Sequence, residues 1–228
     1  MSSSDYVELR CRSAFSFLAG ASLPEDLVER AAALDSPVLA LGDRDGVYGA
    51  PRFHQAAVRA GVRAITGCAI TLADRAELYV LVADRTGYRN LCRLLTQSKL
   101  RAPKGEAVAT WSDVEGHTDG LICLAGGREG PIAAGHEPVE RVIARLRRLF
   151  PDRLYIDLQR HLDVDDERLN RTLTALAERF RIPLAATNDV RHATPDGRPL
   201  LDVLTCLREK TTLDAAGRRL LANAERHL

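Results

Sequence analysis

The sequence lacks the patterns that the commonest disulfide, metal and nucleotide sites require. No C-x-x-C pair occurs, and the five cysteines are widely spaced: Cys11, Cys68, Cys92, Cys123 and Cys206. This spacing suggests neither a disulfide framework nor a thiolate zinc site. No G-x-G-x-x-G follows an apolar run, no G-x-x-x-x-G-K-[ST] occurs, and the six histidines form neither H-x-H nor H-E-x-x-H. Rossmann-type and P-loop nucleotide binding therefore lose support.

Long apolar runs and an excess of charge of one sign are also missing. No run approaches the ~20 residues that a membrane helix needs. Residues 1–5, which we expect to be a flexible N-terminus, do not begin a secretory signal. We therefore expect a cytoplasmic protein without membrane contact. Lys and Arg number 32 against 31 Asp and Glu, so bulk electrostatic attraction to nucleic acid is not expected.

The 228 residues are 46% hydrophobic and 28% charged, which is typical of a globular protein of one large or two small domains. Continuous apolar runs, typical of buried parallel strands, predict strands at Tyr6–Arg12, Val38–Asp43, Ala64–Thr71, Leu78–Val82, Leu121–Ala125, Leu154–Leu158 and Pro183–Asp189. Amphipathic runs predict helices from Ser22 and at Pro51–Ala60, Tyr88–Leu100, Val139–Phe150, Asp166–Phe180 and Leu200–Glu209. The short fourth strand is expected to pair with the third.

This β–α alternation predicts an α/β fold, either a doubly wound sheet or a barrel. About seven strands suffice to close a barrel. No linker divides the chain, so we predict a single domain over residues 1–228, with the polar, turn-rich segment 101–120 as a loop excursion.

Charged residues follow several predicted strands, at the end where α/β barrels carry their function. Arg10 and Arg12 end the first strand, and Asp43, Arg44 and Asp45 end the second. Asp189 and Arg191 end the last strand. The sequence therefore predicts an arginine-rich rim that contains three acids.

Several stretches together resemble the polymerase and histidinol phosphatase (PHP) family, and most closely the N-terminal PHP domain of bacterial error-prone, C-family (DnaE-type) DNA polymerases. The resemblance runs from about residue 6 to the end of the chain. It rests on the residues of segments 6–9, 13–18, 84–91, 158–161, 186–190, 202–206 and 223–228. It implies a distorted (β/α)7 TIM-like barrel whose active members hold Zn, Mn or Mg clusters and hydrolyse phosphoesters.

Alignment with the family's nine ligand positions leaves one acid, Asp189. The other positions carry residues that do not bind metals: Arg10, Arg12, Ala19, Arg44, Ala69, Lys99, Gly127 and Arg191. Arginine has no lone pair to offer, and alanine and glycine have no donor atoms. Two unit charges ~4 Å apart repel by roughly 4 kcal/mol at an effective dielectric of 20, and a divalent ion doubles this cost. We therefore expect no metal cluster, no cofactor and no phosphoesterase activity.

These residues predict a degenerate, metal-free PHP domain with a structural or interaction role in repair or translesion synthesis. The parent protein by resemblance is a DNA-directed DNA polymerase, whereas the 228-residue chain alone is expected to be catalytically inactive. Its expected partners are the remainder of the polymerase chain and, through it, DNA and repair-synthesis proteins.

Two alternatives remain open. One is a metal-dependent phosphoesterase or 3′–5′ exonuclease with a reduced site around Asp43, Asp45 and Asp189. The other is a phosphate- or anion-binding cleft formed by basic residues, namely Arg10, Arg12, Arg44, Lys99 and Arg191. Against the cleft stands a salt-bridge network in which Asp43, Asp45 and Asp189 neutralise the arginines, because buried charges need partners.

Overall fold

A computed structural model describes residues 6–228, so the segment predicted to be flexible, residues 1–5, lies outside the described residues. The strands are β1 (Val38–Leu41), β2 (Arg63–Thr71), β3 (Glu77–Val82), β4 (Leu121–Leu124), β5 (Leu154–Gln159) and β6 (Leu184–Thr187). The helices are α1 (Pro24–Ala33), α2 (Ala50–Ala60), α3 (Arg85–Arg101), α4 (Trp111–Glu115), α5 (Val139–Leu149), α6 (Val164–Phe180), α7 (Arg198–Glu209) and α8 (Leu213–Ala216). Every predicted element except the first strand is therefore present, with ends moved by a few residues.

The six strands form one sheet in chain order, in which β3 alone runs against its neighbours. Strands β1 and β2 are parallel, as are β4, β5 and β6. The expected pairing of β2 with β3 is confirmed, but its direction is antiparallel because residues 72–76 are too few for a parallel crossover. As a result Glu77, the first residue of β3, lies opposite Thr71, the last residue of β2.

The predicted first strand, Tyr6–Arg12, is not a regular strand, and this prediction was wrong. Cys11 nevertheless forms isolated bridges with Leu41 on one side and with Val190, just after β6, on the other. The amide of Arg12 donates to the carbonyl of Val190 at 2.8 Å. This irregular segment joins the two edges of the sheet in the place of a seventh strand, so the fold is a distorted TIM-like barrel.

The interior of the barrel is narrow and filled by side chains. It contains Ala40, Ala69, Tyr79, Leu81 and Leu124, all of which are buried. The Tyr79 ring occupies the space beside Gly42, where a Cβ would lie 2.1 Å from the tyrosine hydroxyl. Larger apolar clusters pack the helices on the outside of the sheet, so the polar groups described below meet at one end of the barrel.

The segment 101–120, predicted as a loop, contains α4. The side-chain oxygen of Thr110 accepts from the amide of Asp113 at 3.3 Å, and the Asp113 carboxylate accepts from the amide of Thr110 at 2.8 Å. This reciprocal cap starts the short helix and places Val114 in the core. Among the described residues, no helix combines the length and the apolar character that a membrane span requires.

Candidate functional site: an ionic network at the end of the barrel

Arg10 is fully buried inside the barrel mouth. Its Nη1 donates to Asp157 Oδ2 at 2.8 Å, and its guanidinium lies over the Tyr79 ring, 4.7 Å from the centroid. Asp157 is itself fixed in place, since its carboxylate accepts from the Gly126 amide and from the Thr187 hydroxyl. Arg10 is therefore balanced by a carboxylate held in one orientation.

Arg12 is equally buried and makes a two-pronged contact with Glu77. Its Nη1 and Nη2 reach the two carboxylate oxygens of Glu77 at 3.0 and 2.5 Å. Nη2 also donates to Glu129 Oε2 at 3.0 Å, and Nε donates to Asp189 Oδ1 at 3.3 Å. Such bidentate contacts are the strongest that a guanidinium forms, and they occupy the donors with which Arg12 would bind an anion.

Asp189 lies at the centre of the network and meets four arginines. Arg191 donates to its Oδ2 at 2.7 Å, and Arg226 donates to the same oxygen. Arg12 and Arg10 approach Oδ1 at 3.3 and 3.7 Å. Burial acts to raise the pKa of Asp189, but the charges of Arg191, Arg12, Arg226 and Arg10 outweigh it and hold the pKa well below its ordinary value.

Arg191 also contacts Glu129 Oε2 at 3.2 Å, which closes a ring of contacts around Asp189. We call the full set the ionic network: four guanidiniums and four carboxylates, from Arg10, Arg12, Arg191, Arg226, Glu77, Glu129, Asp157 and Asp189. The two charge types are equal in number, so buried charge in the network is compensated.

The five basic residues predicted to share one cleft do not all meet. Arg10, Arg12 and Arg191 belong to the ionic network. Arg44 is half-buried and donates to the carbonyl of Phe17 at 3.3 Å. Lys99 lies over the ring of Tyr48 in a separate groove. Arg44 borders both that groove and a cavity of about 230 Å³ beside Arg12.

Two of the three acids predicted as arginine partners have other roles. Asp43 is buried and accepts from the Ser13 amide and hydroxyl and from the Ser16 hydroxyl, at 2.7 to 3.0 Å. Asp45 accepts from the amide and the hydroxyl of Thr71, at 2.8 and 2.7 Å. These carboxylates fasten loops to the barrel, and only Asp189 joins the arginines.

The remaining aligned ligand positions do not fit a metal cluster. Ala69 is buried in the barrel interior, and Ala19 lines the cavity beside Arg12. At Gly127 a Cβ would lie 2.7 Å from the Gln159 amide nitrogen. Over residues 6–228, no group of three or more His, Cys, Asp or Glu is placed to hold a metal ion. A set of arginines, alanines and glycine also lacks the donor chemistry for Zn, Mn or Mg.

Sequence reasoning missed four members of the network: Glu77, Glu129, Asp157 and Arg226. Asp157 gave a signal, since it interrupts an otherwise apolar strand and a buried charge needs a partner. Sequence reasoning did not include Glu77 because this residue is the first of its strand, whereas the predicted rim contains the residues at which strands finish. The reversed direction of β3 brings its first residue to that rim.

Comparison with known proteins identifies the relatives of this fold and site. Residues 8–161 match the model of the PHP domain. The chain belongs to the PHP-domain family. It is 38% identical over 237 residues to an error-prone DNA polymerase of Anaeromyxobacter sp. (strain K), and 35% identical over 231 residues to error-prone DNA polymerase 1 of Agrobacterium fabrum. These matches cover 98% and 100% of this chain but 20% of each relative, so the chain spans about a fifth of their length.

Solved structures support the fold alone. An amidohydrolase from Chromobacterium violaceum, with bound sulfate and no metal, superposes with a TM-score of 0.55 at 15% identity, over 82% of this chain and 87% of that chain. The lesion-specific endonuclease of Pyrococcus furiosus superposes with a TM-score of 0.51 at 13% identity, over 82% and 48%. The family predicted from the sequence motifs is confirmed by the match to the family model and by the error-prone DNA polymerases described above.

Proposed function

We propose that this chain is a degenerate, metal-free PHP domain of an error-prone DNA polymerase, in which the barrel has a structural role within the polymerase. The ionic network is the observation that carries the proposal. Guanidiniums of Arg10, Arg12 and Arg191 occupy aligned ligand positions, and the one aligned acid, Asp189, is committed to them. A side chain that already faces four arginines is a poor ligand for a divalent cation.

The proposal extends to the whole chain and its context. We propose residues 1–228 as one PHP domain, with the remainder of a polymerase chain as its partner and DNA and repair-synthesis proteins reached through that chain. The cytoplasmic location expected from the sequence is part of the same proposal. The relatives are about five times longer than this chain, which supports a domain that works inside a larger protein.

The two alternatives receive less support. A reduced phosphoesterase site needs Asp43, Asp45 and Asp189 free to bind metal, but each is engaged by hydroxyls, amides or guanidiniums. An anion-binding cleft needs free guanidinium donors, whereas carboxylates already occupy those of Arg12 and Arg191. An anion entering this site would have to displace Glu77, Glu129 or Asp189.

The test is the metal content of the purified protein after incubation with Mn²⁺ and Zn²⁺ and removal of free ions. We expect well under a tenth of an equivalent of either ion, and no hydrolysis of an activated phosphodiester in their presence. One or more tightly held ions per chain, together with hydrolysis, would overturn the proposal in favour of a phosphoesterase. Phosphate at millimolar concentration should leave the melting temperature unchanged, and a clear rise would favour the anion-binding cleft.

A further inference from the structure

His161 lies just after β5, is 4% exposed, and has a hydrogen-bond acceptor at each of its two ring nitrogens. Nδ1 lies 2.7 Å from Asp166 Oδ2, and Nε2 lies 2.8 Å from the carbonyl oxygen of Asn188. A carbonyl oxygen has no hydrogen to donate, and neither has an ionised carboxylate. Each of the two contacts therefore needs a proton on the ring nitrogen.

Asp166 is the acceptor that could carry a proton itself, but its surroundings favour the carboxylate. Burial acts to raise the pKa of Asp166, whereas the hydrogen bonds from Arg128 and His161 outweigh burial and lower that pKa. A ring rotated by half a turn about its Cβ–Cγ bond would place carbon atoms against both acceptors and lose both hydrogen bonds. A neutral imidazole has a single N–H, so it satisfies one acceptor and turns a lone pair towards the other.

The charges nearest the ring balance only if the ring is an imidazolium. Arg128 donates from Nε to Asp166 Oδ1 at 2.6 Å and from Nη2 to Asp163 Oδ2 at 2.8 Å. One guanidinium is thus shared by two carboxylates. A doubly protonated His161 supplies the second positive charge, whereas a neutral ring leaves one negative charge without a partner.

The same ring determines how segment 221–228 is held against the barrel. The backbone carbonyl of His161 accepts from Asn223 Nδ2. Asn188, the acceptor of Nε2, donates from its own side chain to two carbonyls of the segment, at 2.7 and 2.9 Å. Arg226 lies among these contacts and carries its guanidinium into the ionic network. The hold on this segment therefore depends on the position in which the ring keeps Asn188.

Charged groups from the surrounding elements share a cavity of about 880 Å³ with the ring. They are Arg10, Arg128, Glu129, Asp163, Asp165, Asp166, Asp189, Arg198, Arg218, Arg219 and Arg226. Arginines keep their charge at all accessible pH values, and carboxylates close to guanidiniums are ionised at neutral pH. Glu8 differs from these groups, because it accepts from the amide of Asn188 at 2.8 Å and burial raises its pKa to about 7. An experiment on His161 therefore has to be separated from the titration of Glu8.

We propose that His161 is a proton-dependent latch, whose imidazolium holds segment 221–228 on the barrel and whose loss of one ring proton above neutral pH releases that segment. A neutral ring keeps one of its two acceptors, so α6 and Asn188 are no longer held together. Arg226 then leaves the ionic network with the segment that carries it. The folded chain keeps a ring proton that an unfolded chain loses above about pH 6.5, so its stability should fall as the pH rises. The latch does not depend on whether the domain lacks metal.

The first experiment is nitrogen-15 NMR of the histidine side chains in the 228-residue chain at pH 7, with His161→Gln to assign the signal. We expect both ring nitrogens of His161 to carry a proton. His192 is the internal reference and should carry one proton, because its Nδ1 donates to the Thr194 carbonyl at 2.8 Å and burial lowers its pKa. A single proton on the ring of His161 would overturn the proposal.

The second experiment is limited trypsin cleavage between pH 7 and pH 9, measured by mass spectrometry as the ratio of cleavage after Arg226 to cleavage after Lys104. Lys104 lies in an exposed stretch after α3, so the ratio removes the pH dependence of the protease. The ratio should rise about tenfold in the unaltered chain, which is the equivalent of one hydrogen bond to a charged group. In His161→Gln it should be high already at pH 7 and change little.

His117→Gln is the matched control. Within residues 6–228, His117 has one ring nitrogen engaged, Nδ1, on the Asp113 carbonyl at 2.8 Å. This variant should keep the pH response of the unaltered chain, and circular dichroism should show that each variant is folded. Glu8 is present in every chain, so its titration cancels in the comparison.

A cleavage ratio that is independent of pH in the unaltered chain would overturn the proposal, and this result is decisive even if His161→Gln does not fold. Equal responses of folded His161→Gln and His117→Gln would overturn it as well. Either result would leave the metal-content test, and the structural role it examines, unaffected.

Discussion

Replacement of Asp189 by asparagine is the most direct test of the ionic network. The substitution keeps the shape of the side chain but removes the one carboxylate that contacts Arg10, Arg12, Arg191 and Arg226. Removal of one partner of a buried ion pair costs about 3–5 kcal/mol, because the remaining charge is buried without compensation. We expect a loss near the lower value, about 3 kcal/mol, because Glu77, Glu129 and Asp157 remain.

The assay is equilibrium unfolding in urea, followed by circular dichroism, with thermal unfolding beside it. For a chain of this length, 1 kcal/mol corresponds to about 2–4 °C, so Asp189→Asn should lower the melting temperature by roughly 6–12 °C. Glu25→Gln is the control, since it removes the exposed pair with Arg52 and should change stability little.

The outcome distinguishes an ionic network from a metal site. Arginine keeps its charge at all accessible pH values and cannot be extracted, so a chelator should leave the stability of the unaltered chain unchanged and the effect of Asp189→Asn undiminished. A loss below about 1 kcal/mol would refute the reasoning. So would a chelator that lowers the stability of the unaltered chain to that of the variant.

Two further predictions concern acid stability and backbone packing. Because the pKa of Asp189 is lowered in the folded state, its stabilising contribution is present above about pH 4 and is lost as the pH falls, since the unfolded chain then binds the extra proton. Urea midpoints measured from pH 5 to pH 3 should fall less steeply in Asp189→Asn than in the unaltered chain, and parallel curves would contradict this. Gly87→Ala should destabilise by about 1–3 kcal/mol in the same assay despite the better helix propensity of alanine. Its Cβ would lie 1.9 Å from the Gly120 carbonyl, and a gain in stability would contradict that.

The sequence predicted most of the secondary structure because local pattern determines it. The strands β1, β2, β4, β5 and β6 are short apolar runs between amphipathic helices, and these patterns are visible without a structure. The first segment was mispredicted because its residue pattern resembles that of a strand, whereas its backbone forms hydrogen bonds to both edges of the sheet. Its backbone hydrogen bonds reach Ala40 and Val190, and such divided pairing has no local signature.

The partners of the arginines could not be derived in the same way. Arg12 is 65 residues from Glu77 and 177 residues from Asp189 along the chain. Only the closure of the barrel brings these groups together. The position of Glu77 further depends on the direction of β3, which follows from the short connection between β2 and β3. Strand direction, and not strand location alone, therefore decided whether sequence reasoning could find Glu77.

The balance of charge in the network explains why arginine can occupy these positions at all. A barrel end that carries carboxylates such as Asp157 and Asp189 is unstable unless cations lie close by, because buried charges require compensation. A guanidinium supplies one positive charge and directional donors, and it remains attached to the chain. Asp189 alone is shared by four of them, so the network loses its central acceptor if that one residue is changed. The compensation needed at this end of the barrel is thus supplied by side chains, and its failure should be measurable as a loss of folding stability.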